Sequence, residues 1–174
     1  MCQAVSVILT QETGYICEDD SHDGTMRKLG LRDEFGGKIQ VVKAELTPPS
    51  LFDGRLDYLA PLERWEFSVR QDNTPDWYNP DDAELRTRRL AEKWLGTHHV
   101  SEGIVEGWSE GTLILSGAAQ SHGQVGGWCY CYASAQSHGQ VGGWCYCYDT
   151  AQSHGQAGGW CNLSQPADAG EEGE

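Results

Sequence analysis

The chain has 174 residues, 39% hydrophobic and 22% charged, which is enough apolar content for a packed core and argues against wholesale disorder. Its net charge is −14 and all twelve Lys and Arg lie at or before Lys93, so the C-terminal half lacks the clustered cations that a nucleic-acid partner requires. No run of about 18 apolar residues occurs, which argues against a transmembrane helix and a membrane partner.

The opening MCQAVSVILTQETG has neither a basic leader region nor a signal cleavage pattern. Residues 4–10 read as a strand, paired through a turn at residues 11–13 with GYICE at residues 14–18. The expected setting is intracellular, where the seven cysteines stay reduced. Ser21 is placed to cap a short helix through HDGTMRKL, which Gly30 ends. KIQVVKAEL, residues 38–46, alternates and is rich in Val and Ile, so one strand is expected there, stopped by Pro48 and Pro49. RWEFSVRQD, residues 64–72, sets Trp65, Phe67 and Val69 against charges, the pattern of a half-buried strand. After the turn TPDWYNPDD, a helix begins at Asp81 or Asp82 with an apolar stripe of Leu85, Leu90, Trp94 and Leu95, and Gly96 caps it. Residues 1–102 are thus an α+β domain, two helices on one small sheet.

From Gly103 onward the pattern has a period of 16. AQSHGQVGGWCYCY begins at Ala119 and again at Ala135, and a shorter copy, AQSHGQAGGWCN, begins at Ala151. Shifting the preceding segment by 16 exposes a further copy, GIVEGWSEGTLILSGA, in which Leu113 and Leu115 align with Cys129 and Cys131. Four coils follow, at residues 103–118, 119–134, 135–150 and 151–166, with an acidic tail at residues 167–174 expected to be disordered.

Because 16 is even, strand alternation keeps its phase from copy to copy. Odd positions carry Ala119, Ser121, Val125, Cys129 and Cys131, all small or apolar; even positions carry Gln120, His122, Gln124, Trp128, Tyr130 and Tyr132. Successive strand side chains point to opposite faces, so the odd set suits the narrow interior of a β-solenoid and the even set its outer surface. Gly126-Gly127 and the Ala133-Ser134 region are the natural corners, leaving a strand of about seven residues and one of about five per coil. Asp149 falls at an odd position and is expected at a corner where its carboxylate reaches water.

Stacked coils turn equivalent residues into ladders. The candidate binding surface is the aromatic ladder Trp128, Tyr130, Tyr132, Trp144, Tyr146, Tyr148 and Trp160, facing outward. His122, His138 and His154 form a candidate polar ladder. Cys129, Cys131, Cys145, Cys147 and Cys161 read first as small core residues. A Cys-x-Cys pattern with His seven positions before it lacks the usual spacing of a zinc site, and parity sends His and Cys to opposite faces, so neither metal nor cofactor is expected. A metal- or redox-responsive role for those five cysteines stands as the alternative.

For catalysis, EDDSHDG gathers Asp19, Asp20, His22 and Asp23, which could bind a cation or pose a His–Asp pair, but the segment reads first as a polar loop that caps a helix. His98 and His99 suit a helix C-terminus. No phosphate loop and no nucleophile elbow occurs, so a non-enzymatic role is expected.

DSH at residues 20–22 before a short helix, PDW at residues 75–77 before a longer one, and AQSHGQV with Ala, Ser, Gly and Val in phase together resemble a group of small phage and prophage proteins. That group joins an N-terminal α+β unit to C-terminal A-x-V-x-G-type alternating repeats. The WCYCY strand departs from the usual repeat. The resemblance implies a phage or bacterial origin, the cytoplasm of a bacterial host cell and the same fold, and it transfers no catalytic residue. The resulting expectation is a binding or assembly protein that associates with itself or with a partner protein through its aromatic ladder. Antagonism of a host protein or of a small signalling molecule is a further alternative.

Overall fold

The computed structural model describes residues 4–17, 21–51, 56–109, 111–159 and 161–163, with Ala157 and the last three described by backbone alone. Two compact units divide between Gly96 and Thr97. Among the described residues, no helix is long and apolar enough to cross a membrane.

The first unit contains β1 (Val5–Leu9), β2 (Gly14–Ile16), α1 (His22–Leu29), β3 (Glu34–Phe35), β4 (Lys38–Ile39), β5 (Val42–Thr47), β6 (Glu66–Val69) and most of α2 (Pro80–His98). An antiparallel sheet runs in the order β2-β1-β5-β6, with Val7 opposite Ile16 on one side and Ala44 on the other. All five residues of β1 are buried, so this central strand is apolar on both faces apart from Ser6. The 38–46 segment is two strands rather than one. Lys38–Ile39 folds back on Glu34–Phe35 through Gly36 and Gly37, both at positive φ, and only Val42–Thr47 joins the sheet. The two glycines permit a tight reversal that the alternation of the segment does not reveal.

Both ends of α1 follow from its sequence. The Ser21 hydroxyl accepts a hydrogen bond from the Gly24 amide at 3.0 Å, and Gly30, at φ 67°, closes the helix in the left-handed conformation. In α2 the expected bounds shift. The helix starts at Pro80, whose missing N–H costs nothing in the first turn, and the Asn79 side chain caps the Asp82 amide at 3.0 Å. It then passes through Gly96 to His98, because a glycine in helical geometry does not by itself end a helix. The buried stripe is Ala83, Thr87 and Ala91, four residues apart, while Leu85 is exposed. Small side chains on that stripe allow close packing, and Leu90 beside it reaches over Gly14, where any Cβ would lie 2.7 Å from Leu90 Cδ1. The Arg86 guanidinium donates to the Thr10 and Thr13 carbonyls at 2.8 and 2.6 Å, tying α2 to the β1–β2 turn.

The second unit is a β-solenoid of about three turns. Its strands are β7 (His99–Val100), β8 (Ile104–Val105), β9 (Leu113–Leu115), β10 (Gln120–Ser121), β11 (Gln124–Val125), β12 (Cys129–Cys131), β13 (Gln136–Ser137), β14 (Gln140–Val141), β15 (Cys145–Cys147), β16 (Gln152–Ser153), β17 (Gln156–Ala157) and β18 (Cys161–Leu163). They form three parallel sheets, ordered β8-β10-β13-β16, β11-β14-β17 and β7-β9-β12-β15-β18. The pairing is in register at the repeat length, with Gln120 on Gln136, Val125 on Val141 and Cys129 on Cys145. Leu113–Leu115 pairs onto Cys129–Cys131 in the same register.

Parity holds in the overt copies and at Leu113 and Leu115, whereas in the first turn Trp108, an even residue, bridges to Val125 and packs against the interior. The core contains Leu113, Leu115, Ala119, Val125, Cys129, Cys131, Ala135, Val141, Cys145, Cys147 and Ala151, every one an odd position. Ser121 and Ser137 are buried with them, and the Ser121 hydroxyl donates to Ser137 Oγ at 3.1 Å.

The path of each coil has three corners rather than two. The expected seven-residue strand breaks at His122-Gly123 into β10 and β11, and again at His138-Gly139, because these glycines sit at φ 83° and 106°. The remaining corners are the two expected ones. Gly117, Ala133 and Asp149 occupy the same corner position, at φ 56°, 56° and 54°, and Asp149 is exposed there. The next residue fastens one corner to the one before it: the Ser134 hydroxyl donates to the Gly117 carbonyl at 2.6 Å and the Thr150 hydroxyl to the Ala133 carbonyl at 2.8 Å.

Candidate functional site

Three ladders of chemically capable side chains run along the solenoid. The aromatic ladder lies on the outer side of the sheet that contains β9, β12 and β15. Trp128 and Trp144 stack with ring centroids 6.1 Å apart and planes 19° apart; Tyr130 and Tyr146 stack at 5.1 Å, and Tyr132 and Tyr148 at 4.5 Å and 3°. In-register parallel pairing at about 4.8 Å per rung brings identical rings into contact this way.

The ladder is not the continuous exposed stripe that strand parity alone suggests. Tyr130, Tyr132 and Tyr148 are 2%, 5% and 4% exposed, and Ile114, on the same outward parity, is fully buried. Trp128 and Tyr146 are half-buried, and Trp144 at 39% opens to solvent, as does Ile104 in the preceding turn at 57%. This sheet is therefore covered on both faces over much of its width, the usual condition of parallel sheets. Trp160 lies outside the described residues.

The imidazole ladder occupies the outer face at the His-Gly corner. His122 and His138 stand 5.0 Å apart between ring centroids, and His138 and His154 4.9 Å apart. His122 Nε2 lies 3.2 Å from Gln120 Oε1, and His138 Nε2 lies 3.0 Å from Gln136 Oε1, so each ring is held by the glutamine two residues before it. Partial burial, and then the neighbouring His154 and His122, lower the pKa of His138 below its ordinary value near 6.5.

The thiol ladder is inside, on the opposite side of the backbone from His122 and His138, so imidazole and thiol do not meet. Cys129, Cys131 and Cys145 are fully buried and Cys147 is 1% exposed. Their sulfurs converge: Cys129 Sγ is 3.6 Å from Cys131 Sγ, Cys145 Sγ is 3.9 Å from Cys147 Sγ, and those of Cys129, Cys131 and Cys145 all lie within 4.8 Å of one another. Sequence spacing misses this convergence, because motif rules for thiol clusters assume neighbours along one chain segment, whereas here half the partners come from the next rung. Hydrogen bonds shared with Cys129, Cys145 and Cys147, and then burial, push the Cys131 thiol up. The bonds that Cys145 receives from Cys129, Cys131 and Cys147 pull its thiol down, against the opposing effect of burial. Cys161 joins the ladder by register, opposite Cys145. Cys17 is apart, in the first unit's core with Ile8, Met26 and Val41.

The candidates of the first unit serve the fold. His22 Nε2 lies 3.1 Å from the Ala44 carbonyl, fastening α1 to β5. Asp23 pairs with Lys43 at 3.0 Å, and that hydrogen-bonded ammonium holds the Asp23 carboxyl below its ordinary range; Asp33 pairs with the same lysine at 2.8 Å. Asp19 and Asp20 lie outside the described residues. At the start of the second unit, His98 meets the edge of Trp108 with centroids 5.3 Å apart. His99 Nε2 lies 2.7 Å from Ser116 Oγ, and burial lowers the His99 pKa.

No protein-family model, curated protein or solved structure matches the chain.

Proposed function

We propose that the chain is a non-enzymatic assembly protein whose solenoid displays a rigid aromatic column, and that this column binds a second copy of the same chain. The observation that carries the reading is the stacked Trp128–Trp144 pair, with Trp128 half-buried and Trp144 open to solvent beside the buried Tyr130 and Tyr132. Stacking on the rung below fixes the rings before any contact forms, so little side-chain entropy remains to be lost on binding. Among the three overt repeat copies Asp149 is the only charged residue, which leaves the face free of the self-repulsion that a net charge of −14 otherwise brings. Trp and Tyr are also the side chains that most often anchor protein interfaces.

The finer organisation belongs to the same reading. The solenoid is counted as four 16-residue coils from residue 103 to 166, and the register of Leu113–Leu115 on Cys129–Cys131 supports including the first. The resemblance to small phage and prophage proteins supports the cytoplasm of a bacterial host as its setting. Sedimentation velocity across a hundredfold range of concentration tests the proposal. A dimer or larger species is expected, with Trp144→Ser weakening association by about tenfold or more. A monomer at every concentration, or association indifferent to Trp144→Ser, refutes it.

A further inference from the structure

The geometry points to a metal site within the solenoid: Cys129, Cys131 and Cys145, with Cys147 at its margin, hold a thiophilic divalent cation of the zinc type. A zinc ion bound by thiolates at about 2.3 Å needs sulfurs about 3.8 Å apart at the edges of its tetrahedron. The two sulfur pairs stand at 3.6 and 3.9 Å, and three sulfurs lie mutually within 4.8 Å, so small rotamer shifts bring them onto one ion. Pairs on two neighbouring rungs supply four donors from only two strands.

Packing by itself does not call for sulfur here. The same interior positions one rung earlier are filled by Leu113 and Leu115, and the register sets Leu163 opposite Cys147 one rung later. A thiol-lined compartment thus adjoins a hydrocarbon rung, and by backbone register alone the following rung carries Cys161 and Leu163. Charge points the same way. A buried thiolate is costly without a cation, and the chain has no Lys or Arg beyond Lys93 to supply one. A divalent ion supplies the missing charge: each cysteine that ligates binds as thiolate and releases its proton to solvent, so Cys129, Cys131 and Cys145 around one ion leave a single net negative charge in place of three. Since Cys129, Cys131 and Cys145 have no exposure, the ion enters as the coils close, and binding is coupled to folding.

The test uses the full chain, unfolded under reducing conditions and refolded with Co2+ as a spectroscopic probe or with Zn2+. Expected are one ion per chain by elemental analysis, a thiolate-to-cobalt charge-transfer band with the visible bands of a tetrahedral site, and a thermal midpoint raised by Zn2+. Cys145→Ala weakens Co2+ binding by about 100-fold or more, and Cys147→Ala, at the margin, by less. Cys17→Ala, outside the cluster, leaves the spectrum unchanged. The unsubstituted chain decides the question even if Cys145→Ala does not fold. Absence of the charge-transfer band in refolded, fully reduced chain overturns the site, and so does an unaltered spectrum in the Cys129→Ala, Cys131→Ala double variant. Recovery of the native chain with these cysteines as disulfides, two hydrogen atoms lighter per pair by intact mass, overturns it as well.

Discussion

Replacing Gly139 by alanine should unfasten the His-Gly corner. Gly139 sits at φ 106°, and a Cβ there would lie 2.1 Å from the Gly123 carbonyl oxygen of the preceding coil. That oxygen accepts the Gln140 amide hydrogen bond at 3.0 Å, so the methyl group and the ladder bond compete for the same space. Holding a non-glycine residue in this region costs about 1–3 kcal/mol, and the displaced bond adds about 1 kcal/mol. The expected destabilisation of the repeat unit is therefore about 2–4 kcal/mol, a large fraction of a typical domain stability of about 5–15 kcal/mol. Urea unfolding followed by far-UV circular dichroism reads it as a midpoint lowered by about 1 M or more at an unchanged slope. Hydrogen exchange should locate the loss at the Gln140 and Gly142 amides, which donate to the coil before. Gly96→Ala is the matching control, because a Cβ there meets nothing within 4 Å and the residue lies inside α2; it should stabilise by up to about 1 kcal/mol. A Gly139→Ala chain within about 0.5 kcal/mol of the parent would refute the corner argument.

At the other corner the sign reverses. Ala133 is held at φ 56°, where Gly117 stands in the previous coil, so Ala133→Gly should stabilise the repeat by about 1 kcal/mol; a lower thermal midpoint would contradict this. Stability should also fall on mild acidification. The folded state lowers the pKa of both His99 and His138, so the unfolded chain binds protons more readily. The stability present above about pH 6.5 is then lost as the pH drops through that value. Thermal midpoints between pH 7.5 and 5 should decline, and less so in the His99→Gln, His138→Gln double variant; equal declines would rule these two residues out as the cause.

The fold was legible where the cause is local. Ser21 and Gly30 mark the ends of α1 because a capping hydroxyl and a left-handed glycine act within one turn. The interior of the solenoid followed from alternation alone, since an even period keeps Cys129, Cys145 and their neighbours on one face through every coil. The fate of Asp149 was readable for the same reason: an inward-parity carboxylate needs a corner, and it has one.

Other features depended on the next rung or on tertiary packing. The break at Gly123 and Gly139 was hidden in a run that alternates without fault, because a corner there changes backbone direction and leaves side-chain parity intact. Helix α2 continues past Gly96 because nothing near that residue demands a left-handed turn, and its buried stripe is alanine and threonine because a neighbouring element packs closely against it.

The sequence by itself determined which side of the ribbon the residues of the overt copies occupy, cysteine inside and histidine and aromatics outside, whereas the inward place of Trp108 in the turn before them was decided by the fold. Only the tertiary structure decided how far apart the sulfurs stand and how much of the aromatic column is covered. The physical reason is one of range. Parity is a property of adjacent peptide units, whereas a distance of 3.6 Å between sulfurs, or 2% exposure of an outward tyrosine, depends on what the remainder of the fold brings alongside.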